Sequence, residues 1–253
     1  ALAAAAVLGV VATCWLVVTG SQAVVTVGDA ARFGATLLRI LAPLQLVMAM
    51  LAASLVAVLA VGVEKERRTL ELLLVSRLGD AQLVLGKLGG SLLRVGLLLV
   101  AAAPMFVLAS LFGGVSLLQL ARLFAVTVAA AIAAASIANA AAFWRDTTFQ
   151  ALAITAATLV GWSAAGELAH ALAGGTAGAI VSPARAAFDA LTPAGGRSLA
   201  GFLAVCGGVA VTAGGLAVPL VRRWNTATEV RRQPAAESAP ARRREVWTNP
   251  VLW

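Results

Sequence analysis

Long apolar runs, nearly free of charge, constrain this chain more than any other feature. They cover residues 1–19, 35–63, 88–112, 117–143, 149–169 and 199–221. About 20 such residues in a helix cross a hydrocarbon core of roughly 30 Å. Backbone polar groups inside lipid find partners only in helices or closed barrels, and barrel strands alternate apolar and polar positions. These runs do not alternate. The sequence therefore predicts an all-α, polytopic membrane bundle of six transmembrane helices. Composition agrees: 61% of residues are hydrophobic and 12% charged, against roughly 45–50% and about 25% in soluble domains. That excludes a soluble globular fold.

The charge balance is 19 Lys+Arg against 11 Asp+Glu, net +8. In a soluble chain this would suggest nucleic acid, but here the basic residues are unevenly placed. The segment 64–87 holds Lys65, Arg67, Arg68, Arg77 and Lys87, and the tail holds Arg222, Arg223, Arg231, Arg232, Arg242, Arg243 and Arg244. Residues 21–34 carry only Arg32, and 171–198 only Arg185 and Arg197. Six spans put the two rich segments on one side, which the positive-inside rule makes cytoplasmic. The expectation is a multi-pass protein of the cell (inner or plasma) membrane, with lipid and not nucleic acid around it and both ends of this piece inside. Trp144 and Trp224 fall at the cytoplasmic interface of this map, and Trp15 and Trp162 toward the other.

Residues 129–142 are mostly alanine, with Ser136 and Asn139, as expected of a helix packed inside a bundle, where small side chains let backbones approach. Gly207, Gly208, Gly214 and Gly215 suggest the same for the last span. Pro43 and Pro104 are candidate kinks. Between the last two spans, Ser182-Pro183 reads as an N-cap followed by first-turn proline. It predicts a short external helix over about 183–191, at the outer surface, with Phe188 and Leu191 apolar and Arg185 and Asp189 polar. Cys14 and Cys206 lie far apart in apolar runs and read as small buried hydrophobes. No metal-ligand or catalytic cluster is present in the sequence.

The most specific stretch is 64–87, EKERRTLELLLVSRLGDAQLVLGK. Glu64, Lys65, Glu66, Arg67 and Arg68 end the second span with both signs of charge, suited to ion pairs with another protein. From Thr69 a leucine run punctuated by Glu71 and Arg77 makes a helix too short to span. Gly79 stops it, and Asp80 is placed to cap the next helix. Composition alone also allows a plain interfacial linker.

This segment resembles the sequence after the second transmembrane helix in permeases of the ABC type-2, exporter-like family. Glu64, Lys65, Glu66, Arg67, Thr69, Leu70, Glu71, Leu72, Leu73, Leu74, Gly86 and Lys87 meet the pattern. Arg68 stands where the family usually has glycine, and Arg77 where it commonly has proline. The resemblance implies a six-helix permease domain over 1–223 with a cytoplasmic coupling helix between the second and third spans. It implies a second permease unit, as homodimer, heterodimer or tandem half, and a separate ATPase subunit contacted through Glu64, Glu66, Arg67, Thr69, Glu71 and Arg77. The chain carries no G-x-x-x-x-G-K-[ST] loop, so ATP as cofactor belongs to the partner and this chain is not expected to be an enzyme. Export as the direction also comes from the resemblance.

Residues 224–253 read as a basic cytoplasmic linker or tail. Asn249-Pro250-Val251-Leu252 looks like the opening of the elbow that precedes the first span in this family. The chain is therefore expected to be cut from a longer polypeptide with a further membrane half. Within the spans, Arg39, Arg94, Arg122, Glu167 and His170 are the ionisable groups, and such groups often mark pathways or pairs. Arg94, Asn139 and Glu167 are the candidates for a pathway role. An intramembrane protease would need paired aspartates, serine with histidine, or H-E-x-x-H in facing helices, and the spans contain no Asp, one His and no such motif. A membrane anchor or assembly factor that recruits an ATPase without transporting is the alternative reading.

Overall fold

The computed structural model describes residues 26–67, 79–173, 175–193, 196 and 198–232. The span expected over 1–19 lies outside them, as do Cys14, Trp15 and residues 68–78. Seven helices make up the described residues: α1 (Val27–Glu66), α2 (Asp80–Leu111), α3 (Leu117–Trp144), α4 (Thr148–Ala173), α5 (Gly175–Val181), α6 (Pro183–Ala190) and α7 (Leu199–Arg232). Five of them, α1 to α4 and α7, are long and apolar enough to cross a membrane. The architecture fits a helical membrane bundle.

Helix starts follow local chemistry. At α1, Thr26 Oγ1 accepts from the Asp29 backbone N–H while the Asp29 carboxylate accepts from the Thr26 N–H, a reciprocal capping box. Ser116 and Gln119 make the same exchange at α3. The start of α2 differs from expectation. Asp80 is its first helical residue; Gly79 takes the cap position, and its N–H donates to Gln82 Oε1 at 3.1 Å. The carboxylate of Asp80 in the first turn suits the positive end of the helix dipole instead.

α3 is the axle of the bundle, touching α1, α2, α4, α6 and α7. Its alanines account for this: Ala130, Ala133, Ala134, Ala135 and Ala138 are fully or almost fully buried, and helices without bulky side chains can approach closely on every side. The glycines of α7 do the opposite of what their composition suggests. A Cβ built on Gly207, Gly208, Gly214 or Gly215 would meet nothing within 4 Å, so these positions face away from the bundle. Phe202, Cys206, Ala217 and Val221 form the buried face of α7.

Contacts at both ends fix the helix directions. Phe33 meets Phe112 edge-on, and a Cβ on Gly114 would lie 2.2 Å from the Ala31 carbonyl oxygen; Gly113 and Gly114 adopt φ of +90° and +83° to make that turn. α1 and α3 thus start at one end and finish together at the other, where Lys65 reaches the last carbonyls of α3. α2 and α4 run the opposite way.

At the far end, α5 doubles back along α4. A Cβ on Gly178 would lie 2.5 Å from the His170 Cβ, one on Gly166 would lie 2.6 Å from the Ser182 Cα, and the Trp162 indole N–H donates to the Val181 carbonyl at 3.0 Å. At 1.5 Å per residue the tip at Ser182 lies about 10 Å inside the end of α4. α6 then returns, and Gln119 Nε2 donates to the Leu191 carbonyl at 2.8 Å. The Ser182 cap and Pro183 start stand as expected, and of the two apolar residues expected on this helix Leu191 is buried while Phe188 is 44% exposed. Pro183, Ala186, Ala187 and Ala190 make up the rest of the buried face. Only small side chains fit where α6 crosses α3.

Candidate functional site

The charged run that closes α1 is built into the bundle by three separate contacts. Glu64 and Lys87 form an ion pair, so the first and last residues of the 64–87 segment meet. Lys65 is the most deeply engaged. Its Nζ donates to the carbonyls of Phe143 and Arg145 at 2.8 Å and of Ala142 at 3.3 Å, and lies 4.0 Å from Asp146. The last carbonyls of a helix have no partners within it and carry the negative end of its dipole. An ammonium with three donors, its side chain only 11% exposed, satisfies them. Glu66 accepts from the Thr148 hydroxyl at the start of α4. Close approach is required here too, because a Cβ on Gly62 would lie 2.5 Å from Thr148 Oγ1.

Arg67 caps α1, its N–H donating to the Val63 carbonyl at 3.0 Å, and is exposed. Thr69, Glu71 and Arg77 lie outside the described residues. Next to this cluster the Arg145 guanidinium stacks on the Trp144 ring at 4.1 Å. One turn deeper, Asn139 Nδ2 donates to the Val84 carbonyl at 3.2 Å and ties α3 to α2, while its Oδ1 has no partner among the described residues.

The other pathway candidates are scattered. Glu167 is forked by Arg185, with Nε at 3.2 and 3.1 Å and Nη2 at 2.8 Å, and it accepts from the Ser182 hydroxyl at 3.1 Å. The carboxylate beside it holds the Arg185 guanidinium above its ordinary value, so the cation is permanent. This pair fastens the α5–α6 hairpin to α4. Arg94 is exposed on α2, ten residues beyond the Val84 carbonyl that Asn139 holds. The structure thus gathers Glu64 and Glu66 with Lys65 and Lys87 at one end and leaves the pathway candidates apart.

Sequence reading missed Lys65 as the cap of α3, because nothing in residue spacing says which helix ends beside it. It also missed α5, whose run GTAGAIV has too little periodicity to declare a helix. Gln45 stood out in neither charge nor motif, yet both its amide atoms are buried without a hydrogen-bond partner among the described residues.

No family model, no curated protein and no solved structure matches the chain.

Proposed function

We propose that this chain is the membrane-spanning permease unit of an ATP-driven ABC transporter of the exporter-like type. Segment 64–87 meets a separate ATPase subunit and transmits its cycle to the bundle. The reading rests on one observation, the resemblance of EKERRTLELLL and Gly86-Lys87 to the family's coupling segment. The geometry is compatible with that role: Glu64 paired to Lys87 joins the two feet of the segment, and Lys65 and Glu66 tie one foot to the ends of α3 and α4. Residues 64–66 and Lys87, held by these contacts, would pass a push from the segment to four spans at once. In this reading Glu64, Glu66 and Lys65 position the segment, while Arg67, Thr69, Glu71 and Arg77 supply contacts to the partner.

The test is the double variant Glu66→Ala, Glu71→Ala, read by co-purification of the ATPase and by its stimulated hydrolysis. Both should fall while the membrane fold stays intact. Thr148→Ala removes the bond to Glu66 but keeps both carboxylates, and separates positioning from contact. Unchanged co-purification and hydrolysis in the double variant would refute the assignment.

A further inference from the structure

The outward face of α2 carries a cation at membrane depth that forms no salt bridge among the described residues. It is Arg94, which is exposed on this face. Lys87, paired with Glu64, marks the charged end of the helix. Arg94 follows it by seven residues, about 10 Å deeper. A cation at such depth is costly unless an anion or the headgroup region meets it.

The surface between those two levels is unusual. Gly86 and Gly90 stand two turns and one turn before Arg94, with Gly89 beside them. A Cβ at any of the three would meet nothing within 4 Å. Long helical side chains lean toward the N-terminus of their helix, which for Arg94 is the direction of Gly90 and Gly86. The guanidinium can therefore lie along bare backbone and rise toward the headgroup level. Alongside and beyond it, Leu93 is 73% and Leu97 72% exposed, an apolar wall.

We propose that this face is a binding site for an anionic phospholipid of the leaflet on the Lys87 side. Arg94 holds the phosphate through its planar fork of N–H donors. Gly86 and Gly90 form the floor that admits the headgroup, and Leu93 and Leu97 flank the acyl chains. A headgroup without its own cation is preferred because it leaves the arginine's charge as the only positive one at the site. This inference does not depend on the transport reading.

The test uses the full chain purified in detergent and native mass spectrometry of bound lipid, with phosphatidylglycerol and phosphatidylcholine as probes. The wild type should retain phosphatidylglycerol in preference to phosphatidylcholine, and Arg94→Gln should cut that preference roughly fivefold. Arg39→Gln, which removes an exposed arginine from another helix, should leave it unchanged. Gly90→Leu fills the floor while keeping the charge and should lower retention too; it serves as the deciding variant if Arg94→Gln does not fold. Retention equal to wild type in both Arg94→Gln and Gly90→Leu would overturn the proposal. So would a shift from dimer to monomer in Arg94→Gln with lipid retention unaltered, which would assign the arginine to a second copy of the chain.

Discussion

The two ends of the bundle are fastened by different chemistry. At the Lys65 end a charged side chain reaches into backbone: three carbonyls at the end of α3 converge on one ammonium that is almost out of solvent. At the Glu167 end the fork between Glu167 and Arg185 joins two side chains that are each nearly half exposed. The first contact is hard to replace, since a partly buried carbonyl without a donor loses its hydrogen bond outright. The second can exchange with water. The Lys65 contact is therefore the costlier of the two to lose, while the hairpin keeps its place through the buried face of α6 and the Gln119–Leu191 bond.

Lys65→Met is the strongest way to break this comparison. It should destabilise the chain by about 3 kcal/mol, read as a lowered thermal midpoint in detergent, because several acceptors lose a charged donor together. Next comes Ala134→Leu in α3. Ala134 is fully buried, so overpacking the axle should cost about 2 kcal/mol. Gly208→Leu on the open face of α7 should be neutral or slightly stabilising in the same assay. Gln45→Leu should stabilise the chain by about 1 kcal/mol, read as a raised midpoint, because it removes a buried amide that has no hydrogen-bond partner among the described residues. Arg185→Gln should leave the midpoint nearly unchanged. Its effect belongs to the hairpin, where amide exchange across α5 and α6 should accelerate while α3 stays protected. If Arg185→Gln lowered the midpoint as much as Lys65→Met, the contrast between the ends would be wrong.

How much of this was legible in the sequence differs from element to element. The spans themselves were, because length and continuous apolarity are enough in lipid: five of the six expected runs correspond to helices long enough to cross, and residues 1–19 lie outside the described residues. The Ser182-Pro183 start of α6 was legible because capping is local. Facing was not. Ala134 and Gly208 are both small, yet one lies at the centre and the other looks outward, since small residues permit close packing without saying where a neighbour stands. The pairing of Glu64 with Lys87 was hidden for the same reason, being a property of how α1 and α2 lie together. Asp80 shows a subtler limit: Gly79 before it took the cap, and Gln82 supplied the acceptor from three residues on.

In the proposed function an ATPase meets the Lys65 end and not the hairpin end. Photo-crosslinking in the native membrane decides this, with a photoreactive amino acid replacing Glu71 in one sample and Phe188 in another. The probe at 71 should give an adduct that mass spectrometry identifies as a protein with a G-x-x-x-x-G-K-[ST] loop, and the probe at 188 should give none. Adducts to lipid alone at 71, or the same ATPase captured from both positions, would contradict it.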